Sequence, residues 1–260
     1  MNITPAWKKS VQASLKTNIE KIGTSATYAS LATVTEDNKP AVRTVVMRGF
    51  AGEHYKEETG WQSNLLVIIT DKTSRKINEI RRNPNTEINW YMNGTMEQFR
   101  IRGNIDIVDK EYAEDIVKRP AVSNLTNDIA PKLEVEVSDN IERNSLALQS
   151  FLKQQNVYNR ANSDVEAKVR PFNWQAERLR HFIEFGASMR VNLVHSKQKD
   201  GDNEKVSPMH LEIKEVDQIS GWFDRNNEYL NEAFENFVLL VVKVTSVLYW
   251  SPSTGTKVLL

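Results

Sequence analysis

The sequence contains no cysteine, and that absence removes disulfide bonds, thiolate catalysis and cysteine-based zinc sites together. Histidine is scarce as well: His54, His181, His195 and His210 are scattered without metal-ligand spacing, so no metal site is expected. Net charge is also missing, since 34 Lys and Arg balance 34 Asp and Glu over 260 residues. General nucleic-acid and membrane-surface binders normally carry an overall positive excess, so neither kind of partner is expected. No apolar run is long enough to cross a bilayer; the longest, Phe237 to Val242, has the length of a strand. Lys8, Lys9 and Lys16 interrupt any secretory-type run, and the chain is expected to be soluble and cytoplasmic. Internal repeats and low-complexity tracts are absent.

What is present begins with a helix. Thr4-Pro5 marks its start, with proline expected at the first helical position, and Trp7, Val11, Leu15, Ile19 and Ile22 recur at helical spacing. Tyr28 to Val34 and Val42 to Met47 flank the turn-rich Glu36 to Pro40, which predicts a hairpin. After a polar connection over Gly49 to Asn64, Leu65 to Thr70 is a continuous apolar run, as in a strand covered on both faces. The period then turns helical through Ile77 and Ile80 and stops at Asn83-Pro84. Glu87 to Met92 and Glu97 to Val108 predict a second hairpin about Asn93-Gly94. Asp109 to Arg170 reads as helical, most clearly over Glu142 to Gln155, and Leu179 to Val194 as a strand broken by Gly186. Ser196 to Pro208 is a polar loop, and Met209 to Ile219 and Asn236 to Trp250 are β-rich. Many antiparallel-type strands and few helices predict a mainly β protein, a Greek-key barrel with peripheral helices.

The segment with most chemistry is Thr70-Asp71-Lys72-Thr73-Ser74-Arg75-Lys76, where the apolar strand gives way to the helix. A first helical turn has unsatisfied N–H groups and a partial positive charge, which suits a phosphate. Cations there are disfavoured for helix stability alone, so Arg75 and Lys76 point to an anion. The alternative is a solvated basic surface with Asp71 or Thr73 as helix cap.

Three ordered blocks resemble the pyridoxamine 5′-phosphate oxidase superfamily: Arg43-Thr44-Val45-Val46-Met47-Arg48-Gly49-Phe50, Thr70 to Lys76, and Glu97-Gln98-Phe99-Arg100-Ile101-Arg102-Gly103. Their wording is most similar to the Alr-type oxidase-like branch, over about Ala26 to Val108, with a weaker echo at Asn236 to Trp250. The resemblance implies an FMN-binding split β-barrel, Greek-key type, in a homodimer with the flavin at the interface. It implies one domain over 1–260, with an insertion or extension at about 139–235. It also implies that Arg43 reaches the flavin phosphate, with Thr70, Ser74, Arg75 and Lys76 beside it. Val45 and Val46 would line the ring system through their backbone, Arg48 would contact cofactor and substrate, Gln98 would hydrogen-bond the flavin and Trp250 would cover it. Taken singly, Val45 and Val46 also fit plain core positions, Gln98 a surface strand position and Trp250 a core anchor. Trp90 and Tyr91 fit core or dimer interface.

The substrate side resembles the family less. Arg119 and Ser123 resemble its substrate-phosphate arginine and serine, but Asp115 occupies the matching tyrosine position. Arg48 replaces a lysine, a planar fork in place of a point charge. After Trp250 the chain reads Ser251 to Leu260, without the family's Arg-X-His clamp. The resemblance therefore implies an FMN-binding oxidoreductase-like protein that passes hydride from a small substrate to flavin. The alternative is a non-catalytic flavin or pyridoxal-phosphate binder that has lost the clamp, and a third reading is a flavin-free dimeric scaffold.

Overall fold

The structure, a computed structural model, describes residues 4–53, 61–112, 129–131, 172–195 and 227–260. The chain divides into two compact units. Unit 1 comprises Met1–Ile107, Ala113–Lys132 and Leu239–Leu260; unit 2 comprises Val108–Tyr112 and Leu133–Val238. The whole of the segment expected as an insertion, 139–235, falls in unit 2.

Unit 1 holds the barrel. Helix α1 (Ala6–Ile22) leads through a 3-10 turn into strands β1 (Tyr28–Val34) and β2 (Pro40–Phe50). A short strand, β3 (Trp61–Ser63), precedes β4 (Leu65–Asp71), which hands over to helix α2 (Arg75–Arg82). The hairpin β5 (Asn85–Met92) and β6 (Glu97–Val108) follows, then β7 (Ile129–Pro131), β8 (Phe237–Ser251) and β9 (Gly255–Val258). The main sheet runs β4-β2-β1-β5-β6-β8-β9, and a β4–β8 pairing closes its first six strands into an antiparallel barrel. Strands β3 and β7 pair separately. The expected mainly β barrel is present, and closure leaves none of those six strands with a bare edge.

Register explains which side chains fill it. Leu31 pairs with both Arg43 and Ile88, and Ile88 pairs with Ile101. Paired residues share a face, and Leu31, Ile88 and Ile101 are fully buried. The same logic puts Val46, Tyr28, Ser30, Asn89 and Arg100 on the outer face, through the pairs Tyr28–Val46, Ser30–Asn89 and Asn89–Arg100. Strand β4 is covered on both sides, Leu65 to Ile68 all being buried.

Several local expectations need correction. Pro5 takes the N-cap of α1, one position earlier than expected. The buried residues of α1 are Trp7, Lys8, Val11, Ser14 and Asn18, whereas Ile19 is exposed. The helix is rotated because Asn18 is fully buried and its side-chain amide donates to Thr95 at 2.8 Å. The β5–β6 loop spans residues 93 to 96, and its left-handed residue is Met96 rather than the Asn-Gly pair. Gly94 serves close approach instead: a Cβ there would lie 2.8 Å from Asn18 Oδ1. Asp109 to Tyr112 forms a turn and Ile129–Pro131 a strand, not helix. The helix expected at 142–155, the loop at 196–208 and the strand at 209–219 lie outside the described residues.

Unit 2 overturns the strand read over Leu179 to Val194. Helix α3 (Trp174–Glu184) and helix α4 (Ala187–Val191) occupy it, and α5 (Glu228–Asn236) precedes β8. Alternation misled because Arg178 is 1% exposed and therefore belongs to the core rather than to a polar face. Its Nε donates to Phe237 O at 2.8 Å, a terminal nitrogen donates to Phe234 O, and the guanidinium lies 3.9 Å from the Phe234 ring centroid. Burial pushes its pKa down to about 10, against the pull of Asp109 and Glu235. Phe182, Phe234 and Phe237 pack around it at ring separations of 5.0 and 5.3 Å.

Candidate functional site

The site forms where β4 hands over to α2. Asp71 accepts from the backbone N–H of Thr73 at 2.6 Å and from its hydroxyl at 2.7 Å, a local turn that ends the strand. Ser74 then takes the N-cap, yet makes no side-chain cap hydrogen bond, which departs from the Asp71 or Thr73 cap considered above. Its hydroxyl accepts instead from the Lys76 ammonium at 2.5 Å, and the same ammonium donates to Thr70 Oγ1 at 2.8 Å. An ammonium has three N–H donors, so these two contacts leave one to point at a ligand. Arg75, the first helical residue, is exposed. Arg81 and Arg82 end the helix, where cations favour the dipole; only the pair at its start runs against it.

Arg43 reaches this junction from the inner face of β2. Its guanidinium donates to Glu79 Oε2 at 2.6 Å and to the Thr33 hydroxyl, and Thr33 in turn donates to Glu79 Oε2 at 2.5 Å. Burial and the nearby Arg43 guanidinium hold the Lys76 ammonium below its ordinary 10.5, while Asp71 and Glu79 pull the other way. Burial opposes ionisation of Glu79, but the Thr33 hydroxyl and Arg43 outweigh it, and its carboxyl stays below the ordinary value. Two cations thus converge on one half-buried place with N–H groups to spare. A doubly charged phosphate supplies the negative charge and the acceptor oxygens that such an arrangement takes.

The structure therefore brings Arg43, Thr70, Ser74 and Lys76 together, with Arg75 at the rim. Val45 is buried and Val46 half-buried on the opposite face of the same strand, followed by half-buried Arg48. Gln98 lies on the outer face, donating to Asn89 Oδ1 at 2.8 Å. Trp250 is on β8, the strand beside β6, and at 38% exposure it is no core anchor. Trp90 is a core residue, fully buried and donating to Ala26 O at 2.8 Å, whereas Tyr91 is exposed. Arg119 and Ser123 lie outside the described residues. Sequence reasoning missed Thr33 and Glu79. The available signal was the place of Glu79 one helical turn on from Arg75 and Lys76, on their side of α2, where a buried carboxylate needs a partner.

A closed antiparallel barrel thus carries two cations and two hydroxyls at a strand-to-helix junction, an arrangement suited to a mononucleotide phosphate. Residues 4–109 match the family model for the pyridoxamine 5′-phosphate oxidase FMN-binding domain. Over 103 residues the chain is 39% identical to pyridoxine/pyridoxamine 5′-phosphate oxidase 2 of Arabidopsis thaliana, covering 40% of this chain and 46% of that one. Over 97 residues it is 36% identical to pyridoxine/pyridoxamine 5′-phosphate oxidase of a Psychrobacter species, covering 37% and 40%. The match spans less than half the length of these curated relatives. Among solved structures, a pyridoxamine 5′-phosphate oxidase-related, FMN-binding protein from Nostoc punctiforme shares the fold at TM-score 0.53 and 19% identity, covering 99% of this chain and 91% of that one. Residues 4–109 are thus similar to the FMN-binding domain of the pyridoxamine 5′-phosphate oxidase family, and the cofactor that this match points to is FMN. Among the described residues no helix is long and apolar enough to cross a membrane.

Proposed function

We propose that this chain is an oxidoreductase-like flavoprotein in which the β4–α2 junction holds the FMN phosphate. The observation that carries the reading is the Lys76 ammonium, fixed by Thr70 and Ser74 with one donor left, beside the Arg43 guanidinium. The residues fit the group: Lys76 and Arg43 offer charge-assisted donors to a dianion, Arg75 adds exposed charge, and the first turn of α2 adds its dipole. Gln98 and Trp250, on neighbouring strands, are assigned to the flavin ring, with Val45, Val46 and Arg48 along β2. When bound, FMN accepts hydride from a small substrate, and the protein contributes position and electrostatics.

The barrel's outer face also supports a homodimer with the flavin at its interface. Val42 and Tyr28 are 66% and 52% exposed, and Val46 lies opposite Tyr28 in the register. Apolar side chains on the water side of a sheet are the kind of surface a second copy covers.

The purified protein is expected to be yellow, or to become so on adding FMN, with a flavin visible spectrum that survives gel filtration. A colourless protein that ignores added FMN overturns the reading. Incubating the flavin-loaded protein with pyridoxamine 5′-phosphate in air, and following peroxide and pyridoxal 5′-phosphate, then separates an oxidase from a flavin binder.

A further inference from the structure

Glu79 is a carboxylate that the phosphate-site reading does not use, and it is an odd residue to find there. It is 8% exposed, and its spacing places it one turn on from Arg75 and Lys76, on their side of α2 rather than on the side of Ile77. One of its oxygens, Oε2, accepts from both Arg43 and Thr33, and Thr33 itself accepts from Arg43. Three side chains from β1, β2 and α2 thus close a triangle around the guanidinium. We propose that Glu79 is a positioning residue which, with Thr33, holds Arg43 in its phosphate-binding orientation before any ligand arrives.

The proposal rests on the FMN reading above and goes beyond it by naming what aims the arginine. A guanidinium has five N–H donors in a fixed fork. The triangle takes one from each terminal nitrogen. Nε–H and the second N–H of each terminal nitrogen remain, and among the described residues none of them takes a hydrogen bond. A long side chain anchored this way has surrendered its rotamer freedom already, so a phosphate meets donors whose directions are set. Glu79 also pulls the pKa of the Lys76 ammonium upward, against the burial and the Arg43 charge that lower it. A plain structural ion pair would stitch α2 to the sheet equally well, but it would serve FMN and riboflavin alike.

That difference is the test. Dissociation constants for FMN and for riboflavin, which lacks the phosphate, are measured on the whole chain for wild type, Glu79→Ala, Glu79→Gln, Arg43→Ala and the Arg43→Ala/Glu79→Ala double variant. Glu79→Ala is expected to lose about tenfold in FMN affinity, the scale of one misaimed charge-assisted hydrogen bond, with riboflavin unchanged. Glu79→Gln, which still accepts from Arg43 and Thr33, is expected to recover most of that loss. In the Arg43→Ala background the Glu79 substitution should cost nothing further, since the residue acts through Arg43. Thr33→Val, close in shape and without the hydroxyl, gives a milder FMN-specific loss and serves if Glu79→Ala does not fold. Parallel weakening of FMN and riboflavin, tighter FMN binding in Glu79→Ala, or full additivity with Arg43→Ala each overturn the proposal. A wild-type chain that binds riboflavin and FMN equally, or neither, overturns the phosphate-site reading and this inference with it.

Discussion

Lys76 and Arg75 are neighbours in sequence and differ in what their charge can do. The Lys76 ammonium is half-buried and held by two hydroxyls, whereas Arg75 is exposed to solvent. Lys76→Ala is expected to weaken FMN by about 1.5–3 kcal/mol, the worth of a hydrogen bond to a charged group, which is about 10- to 100-fold. Arg75→Ala is expected to cost less and to lose its effect in high salt, where exposed charges are screened. Fluorescence titration of FMN at two ionic strengths checks both. The alkaline limb of binding follows from the same environment. Lys76 titrates below 10.5 in the ligand-free protein, and a bound dianion raises its pKa. Affinity is then complete below the ligand-free pKa and falls as pH rises from there toward the raised one, so its decline should begin below pH 10.5. Riboflavin affinity over the same range should lack this limb, and Lys76→Arg should move it upward.

The glycines of this chain differ in what an added side chain would meet. A Cβ at Gly103 on β6 would fall 2.3 Å from the Lys243 carbonyl oxygen and 3.1 Å from Val242 Cγ1 on β8. Backbone cannot swing aside, so β6 and β8 would have to separate. At Gly94 the obstacles are the Asn18 and Lys21 side chains, at 2.8 and 3.2 Å, which can partly give way. At Gly186 nothing lies within 4 Å. Alanine substitutions should therefore rank Gly103 worst, at about 1–3 kcal/mol or more, Gly94 next, and Gly186 near neutral. Urea midpoints of the three variants measure the order, and a Gly103→Ala protein as stable as wild type would contradict the β6–β8 approach.

At the scale of the whole molecule, the outer face of the barrel and the cofactor site lead to one expectation about assembly. The flavin-loaded protein should sediment at twice the 29.8 kDa of the chain. Val42→Glu, which places a charge at the most exposed apolar residue of β2, should return it to a monomer and weaken FMN without lowering the unfolding midpoint of the ligand-free monomer. A flavin-loaded monomer in sedimentation velocity would remove the interface from the proposal. Unit 2 carries a different determinant, the buried Arg178 guanidinium holding the Phe234 and Phe237 carbonyls.

By itself the sequence determined what depends on near neighbours. Alternation in β1 and β2, the apolar run of β4, the turn within Glu36 to Pro40 and the short helix after Ser74 are set by residues a few positions apart, and each is legible in the sequence. So was the placing of two cations at a helix start, because their cost to the helix is a local matter. Tertiary structure decided what depends on distant partners. Arg43 meets Glu79 36 residues away and Thr33 meets it 46 residues away, so no spacing rule announces the triangle. The buried face of α1 turned on Asn18 reaching Thr95, and residues 174–191 became helical because Arg178 could be buried against carbonyls near the end of another helix. Local periodicity shows which element forms. Which of its faces is buried, and which arginine is aimed, is settled by pairing energies that exist only once the barrel has closed.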